Sequence, residues 1–194
     1  MSLLNNITPL LESPSFSSKE AKAHGVSHNV LAWYVKQGVL TKLGRGLYCK
    51  SDSDLPEVEM KHEELIRIMA ALPQGVVCLT AALDLYGLTE EFIRSYTIAI
   101  QNTCRARKIQ HATFFRFRDM DTGRTSIKLG SYEIPIFDRE RTIIDSFRLL
   151  SIETSIKALK MAWRSEERID LRKLHSYADK LRFDILPYLL TVTT

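Results

Sequence analysis

The segment Phe16–Tyr48, FSSKEAKAHGVSHNVLAWYVKQGVLTKLGRGLY, constrains the fold more than any other part of the chain. Ser17 and Glu20 have capping-box spacing, in which a hydroxyl and a carboxylate three residues on each satisfy a free backbone N–H. That spacing predicts a short helix over about 18–24. Gly25 ends it, because glycine takes the left-handed conformation that terminates helices. Ser27 is placed to cap a second helix running to about Gln37, with Gly38 to close it. Two short helices joined by a glycine-containing turn have helix-turn-helix spacing. Upstream, the apolar residues of 3–11 suit a packing helix. Downstream, two apolar runs flank Gly44-Arg45-Gly46, which predicts a β-hairpin with Arg45 at its tip and glycines supplying positive φ. Helix, turn, helix and hairpin in this order are the pattern of a winged helix-turn-helix, which lays its second helix in a DNA groove.

The second helix has two faces. Leu31, Tyr34 and Val35, with Val30 beside them, recur at helical spacing and belong to a core. His28, Asn29, Ala32, Trp33 and Lys36 fall on the other side. Asn29 suits adenine, His28 a base or phosphate, and Lys36 a phosphate. Trp33 is read as covering the module's edge. In the wing, Lys42 and Arg45 are the cations, and Arg45 is placed to reach a phosphate or the minor groove. The other reading of these residues is a solvated face.

Charge agrees with a nucleic-acid partner without requiring one: the formal net charge is +4 and the isoelectric point about 9.0. Cys49, Cys78 and Cys104 are scattered singly, which suggests neither a disulfide framework nor a zinc site. The first residues lack the basic flank and apolar core of a signal peptide, and no apolar run has membrane-spanning length. The expectation is a soluble cytoplasmic protein.

Ser51–Pro56 is polar, acidic and proline-terminated and reads as a linker. It divides the chain into a DNA-binding domain over 1–55 and a second domain over 56–194. The second domain opens with a helical pattern over 57–72. A short apolar run at 76–79 follows, then a helix that Thr80 is expected to cap. Strands are expected at 95–100, 113–117, 132–137 and within 123–129, with Pro135 marking an edge strand or strand end. Asp138 is read as an N-cap, and helices fill the remainder. The fold class is mixed α/β (α+β), a winged helix-turn-helix followed by central strands and terminal helices.

Between Arg94 and Lys128 the charge is lopsided. Arg94, Arg105, Arg107, Lys108, Arg116, Arg118, Arg124 and Lys128 are opposed only by Asp119 and Asp121. Arg105, Arg107 and Lys108 sit together in a loop-like stretch and suit a phosphate backbone. A basic solvated surface or an acidic protein partner would also account for them.

Motifs for catalysis are sparse. There is no phosphate-binding loop, dinucleotide fingerprint or nucleophile elbow, and the five histidines lack metal-ligand spacing. A Mg²⁺-dependent nuclease built on Asp138 and Glu140 is the enzymatic alternative, against which Asp138 as helix cap is the plainer role. A winged module that docks a protein in place of DNA is a third reading. Asp145 is expected to pair with Arg141 or Arg148 as a surface salt bridge. The expectation is a non-enzyme with no cofactor and no metal.

Three segments resemble the AbiEi family of antitoxins and related transcriptional regulators. They are the module ending in Lys42-Leu43-Gly44-Arg45-Gly46-Leu47-Tyr48, the stretch from Leu72 through Leu83 with Tyr86-Gly87-Leu88-Thr89, and Ile136 through Asp145. The resemblance implies a winged helix-turn-helix that binds double-stranded DNA at operator repeats and represses its own operon. It also implies a C-terminal domain that counters a nucleotidyltransferase-like toxin in a type IV toxin–antitoxin, abortive-infection system. In that picture Asn29, Lys36 and Arg45 are DNA contacts and the 105–108 cluster extends the footprint.

Overall fold

The computed structural model describes residues 3–51, 55, 58–105 and 108–193. It shows an α+β protein, with a winged helix-turn-helix at the N-terminus and a mixed five-stranded sheet with helices behind it. The chain divides into two compact units. The first is Met1–Gln74 with Arg105–Ala112 and Lys128–Ile134; the second is Gly75–Cys104, Thr113–Ile127 and Pro135–Thr194.

The first unit contains α1 (Leu3–Leu11), β1 (Phe16–Ser17), α2 (Ser18–Ala23), α3 (His28–Lys36), β2 (Leu40–Gly44), β3 (Leu47–Lys50) and α4 (Met60–Ala70). The capping box forms. The Glu20 N–H donates to the Ser17 hydroxyl at 3.2 Å, and the Ser17 N–H donates to the Glu20 carboxylate at 2.6 Å. Ser27 caps α3, and Gly25 and Gly38 take positive φ where the helices end. Ile7, Leu10, Phe16, Ala21, Val26, Leu31, Tyr34, Leu40 and Tyr48 form one core, against which Val30 and Val35 are partly buried. The three strands form a small antiparallel sheet in the order β1-β3-β2.

Asp52, Ser53, Asp54 and Pro56 of the expected linker lie outside the described residues. Leu55 is not loose: it is buried, and its N–H donates to Glu63 at 3.1 Å. Glu63 in turn accepts from Arg67 one turn along α4, and the Ser15 hydroxyl donates to the Arg67 carbonyl. Helix α4 is thereby fastened to the chain on both sides of the winged module.

The second sheet has the order β6-β5-β4-β8-β7, from β4 (Val76–Val77), β5 (Tyr96–Gln101), β6 (Ala112–Phe117), β7 (Arg124–Leu129) and β8 (Tyr132–Phe137). β4 runs antiparallel to β5 and parallel to β8. Pro135 therefore lies in an interior strand and not at an edge or strand end. It is tolerated because β4 is only two residues long, and its register with β8 is the single pair Val77↔Ile136.

Helix α5 (Leu79–Leu85) also departs from expectation. Its N-cap is Cys78, not Thr80, and the neighbouring strand supplies the capping oxygen. The Thr97 hydroxyl oxygen accepts from the Ala81 N–H at 2.9 Å while its proton goes to the Cys78 carbonyl. A tertiary partner has replaced the local cap.

The remaining helices are α6 (Arg139–Leu149), α7 (Ile152–Arg164), α8 (Leu171–Leu181) and α9 (Leu186–Thr193). Asp138 caps α6 through the Arg141 N–H, and Asp170 caps α8 through two N–H groups. Among the described residues no helix is long and apolar enough to cross a membrane.

Helix α6 is covered on all sides from Arg139 through Phe147. Its apolar face, Ile143, Ile144 and Phe147, joins the core with α7, α8 and α9. Its polar face is buried too, so the pair expected at the surface is internal. Arg141 and Asp145 side chains are each 1% exposed, with Arg141 Nε 2.6 Å from an Asp145 oxygen. Arg148 takes the other Asp145 oxygen at 2.6 Å. The remaining Arg141 nitrogens donate to the Thr122 and Asp119 carbonyls, and its guanidinium lies over the Phe137 ring. Burial pushes the Asp145 carboxyl up, against the opposing pull of Arg141 and Arg148.

Removing one member of a buried pair strands the other's charge, which costs about 3–5 kcal/mol. Asp145→Ala is expected to lose about that much in urea unfolding, whereas a surface bridge would lose under about 1 kcal/mol. An unshifted unfolding midpoint would refute the internal role.

Candidate nucleic-acid interface

The geometry of the wing starts at its turn. Phe16 and Ser17 in β1 pair with Tyr48 and Leu47 in β3, and the Phe16 and Tyr48 rings stack with centroids 6.1 Å apart. The Ser18 N–H, at the first residue of α2, donates to the Gly46 carbonyl at 2.8 Å. The wing turn is thus fastened to the start of the helix-turn-helix. Gly46 has φ +70°, and a Cβ there would stand 2.9 Å from the Ser18 hydroxyl. Glycine suits this position by its conformation, and an added Cβ would also make the Ser18 hydroxyl turn aside.

Gly44, expected to share that role, has a different one. It does not take positive φ. A Cβ on it would lie 2.5 Å from the Lys108 carbonyl oxygen and 3.3 Å from Ile109 Cα. Gly44 is there for close backbone approach, beside an irregularity in the β2–β3 ladder between Lys42 and Gly44.

On α3, Leu31 and Tyr34 are buried, and His28, Asn29, Ala32, Trp33 and Lys36 are exposed. The expected division of faces holds. Trp33 is 54% exposed and rests edge-on against Tyr34, which leaves much of its indole at the surface. Lys42 and Arg45 are exposed on the wing. Between α2 and α3 an open cleft of about 530 Å³ is lined by Ser18, Lys22, Gly25, Val26, Ser27 and His28. Lys22 was not foreseen as part of this surface. Its place in the last turn of α2, facing the start of the second helix, is the signal that would have found it.

The basic loop divides. Arg105 and Lys108 are exposed within the first compact unit, together with the winged module. Arg107 lies outside the described residues. Arg94, Arg116, Arg118 and Arg124 are exposed on the second unit, so the run of basic residues is not one patch of one unit.

Asp138 and Glu140 are occupied structurally. Asp138 caps α6 with one oxygen. The other accepts from the Tyr177 hydroxyl at 3.1 Å and lies 2.7 Å from Lys173 Nζ. Glu140 accepts from the Asp170 N–H at 2.9 Å and lies 3.4 Å from the same ammonium. The hydrogen bond to Asp138 raises the Lys173 ammonium above its ordinary value. These carboxylates join the starts of α6 and α8 around one lysine. Among the described residues no group of three or more His, Cys, Asp or Glu is arranged to hold a metal ion.

Residues 12–49 match the model of a family described as transcriptional regulator, AbiEi antitoxin. The segment is similar to that family's regulator domain over about a fifth of the chain. The match starts within the turn after α1 and ends in β3, so it takes in both helices of the helix-turn-helix and the whole wing turn. It includes the first of the three segments that carry the resemblance read from sequence. Comparison with curated proteins finds no match.

The capping box sets the entry of α2, and its chemistry gives a pH test. The Ser17 backbone N–H, and then its hydroxyl, hold the Glu20 carboxyl below its ordinary value of 4.5. A depressed carboxyl contributes stability that is fully present above the unfolded value and lost as pH falls through the folded one. Ser17→Ala is expected to cost about 1 kcal/mol at pH 7. Glu20→Gln should flatten the part of the stability–pH curve below 4.5. Chemical denaturation of both variants from pH 7 downward measures this; unchanged curves would contradict the reciprocal cap.

Proposed function

We propose that the protein is a DNA-binding transcriptional regulator that represses its own operon and acts as the antitoxin of a type IV, abortive-infection toxin–antitoxin system. The observation that carries this reading is the coincidence of two facts on one segment. Residues 12–49 match a family of regulators and antitoxins, and the same residues fold as a helix-turn-helix with its wing. The ligand on this reading is double-stranded DNA carrying operator repeats, encountered in the cytoplasm. The reading function resides in residues 1–55 and the antitoxin function in 56–194, directed at a nucleotidyltransferase-like toxin.

The proposed contacts are His28 and Asn29 at the start of α3, Lys36 at its end, Lys42 and Arg45 on the wing, and Arg105, Arg107 and Lys108 of the downstream basic stretch. What supports the described ones is exposure joined to chemistry. The start of the second helix is where such modules meet base edges, and an amide bonds adenine in bidentate fashion. Each cation facing a phosphate releases counterions and steepens the salt dependence.

Gel shifts and fluorescence anisotropy with DNA from upstream of the gene provide the test. The expected result is binding that weakens with salt and is lowered about tenfold by Arg45→Ala, with the slope of log K against log salt reduced by about one. Asn29→Ala is expected to reduce discrimination between operator and unrelated DNA by about 1–3 kcal/mol. Absence of retardation at low salt would refute the DNA-binding role. Coexpression with a nucleotidyltransferase-like toxin encoded beside the gene tests the antitoxin role; growth arrest unrelieved by this protein, or the absence of such a gene, would refute it.

A further inference from the structure

The wing does not end at its own hairpin. Within the first compact unit, residues 108–110 lie against it as a partial extra strand. Gly44 and Ile109 form an antiparallel bridge, and the Gln110 N–H donates to the Leu43 carbonyl at 2.8 Å. Ile109 is 3% exposed although its described neighbours Lys108 and Gln110 are exposed. One apolar side chain pins a polar loop. At the far end of the loop His111 takes the left-handed conformation at φ +54° and lies 3.9 Å from Glu64 of α4. The contact is possible because residue 44 lacks a side chain. Any Cβ there would stand 2.5 Å from the Lys108 carbonyl oxygen, closer than such atoms approach.

We infer that this loop is a working part of the DNA-binding surface: it braces the wing from behind and sets Lys108 beside Gly44, the neighbour of Arg45, with Arg105 exposed in the same compact unit, so that the DNA-reading surface is composite and incomplete without a segment far downstream in sequence. The inference rests on the DNA-binding reading above and adds a positioning role for Gly44, Ile109 and Gln110. Positioning follows from the order of the backbone. Arg45 is adjacent to Gly44, and Gly44 faces Lys108 and Ile109 across the bridge. Lys108, fixed next to the wing, and Arg105, exposed in the same compact unit, extend the run of phosphates that the module can neutralise. A hairpin flanked on one edge by β1 and on the other by this loop has both edges covered, which restrains a wing that would otherwise swing as an exposed ribbon.

Full-length protein is tested in two ways. Arg105→Ala/Lys108→Ala removes two exposed charges and leaves the backbone contacts in place. It is expected to weaken duplex binding about tenfold or more at 0.15 M salt and to lower the salt slope by about 1.8, two phosphates at about 0.9 each. Gly44→Ala keeps every charge and displaces the loop. It is expected to lower affinity and slope in the same direction, with hydrogen exchange at the Gln110 amide accelerated and α3 amides unchanged. If wild-type protein does not bind duplex at all, the DNA-binding reading fails first. If wild type binds and the double variant matches it in affinity and slope, the composite surface is refuted while DNA binding stands. If the double variant binds weakly but Gly44→Ala, folded by circular dichroism, binds like wild type, the bracing role is refuted and only the charge contribution survives.

Discussion

A guanidinium enclosed in protein must be paired, and the second unit is arranged around that demand. Arg141 is fully buried, and a lone buried cation would cost several kcal/mol, a large share of the fold's margin of stability. Asp145 neutralises it from one turn along α6. Two carbonyls of the β6–β7 connection, at Asp119 and Thr122, take its other nitrogens. The connection must come close enough for those bonds, and this fixes the residue that follows. Gly123 has φ +72°, and a Cβ there would lie 2.5 Å from Arg141 Cβ. The Asp138 N–H donates to the Gly123 carbonyl, which sets the start of α6 against the same connection. One charge thus dictates a helix position, a loop path and a glycine. It also explains why a helix carrying Arg139, Glu140, Arg141, Asp145 and Arg148 can be central: nearly every charge on it has a partner of its own.

The first unit meets its constraint with backbone. Its core is small, and the elements that present side chains to solvent are short. Orientation comes from hydrogen bonds between element ends: Ser17 with Glu20 at the start of α2, Ser18 with Gly46 at the wing turn, Gln110 with Leu43 behind the wing. Short helices gain little from their own propensity, so caps and edge contacts carry a larger share of their placement. On the proposed reading, such fixed contacts hold the spacing of groups that meet DNA, since a contact misplaced by an ångström loses its partner.

What could be read in the sequence follows from the range of the interaction involved. The capping box, the helix-ending glycines and the α3 faces are local, and Ser17, Glu20, Gly25, Gly38, Leu31 and Tyr34 appear as expected. The departures are tertiary. Thr80 has the residue type of a cap, but Thr97 from another strand supplies the oxygen. Pro135 reads as an edge or strand-end marker, yet β8 is interior because its neighbour β4 is too short to need the missing N–H. Asp145 and Arg141 have the spacing of an exposed pair, and periodicity has no means of saying that the polar side of α6 is roofed by the β6–β7 connection. Gly44 and Gly46 look equivalent around Arg45. Only the second needs its φ; the first needs its bareness for a loop that arrives from far along the chain.

That last distinction bears on where a functional site ends. Composition made the 105–108 stretch conspicuous, but charge alone does not select between DNA, solvent and an acidic protein. Ile109 decides part of the matter. A single buried apolar residue following Lys108 anchors the loop to the unit that holds Arg45, whereas Arg116, Arg118 and Arg124, equally basic, belong to the other unit. Electrostatic attraction acts over roughly 8–10 Å at physiological salt, so cations within one rigid unit sum their effects on a single duplex, and those outside it need not. On the proposed reading, the apolar anchor, not the arginine count, is what ties Lys108 to the wing.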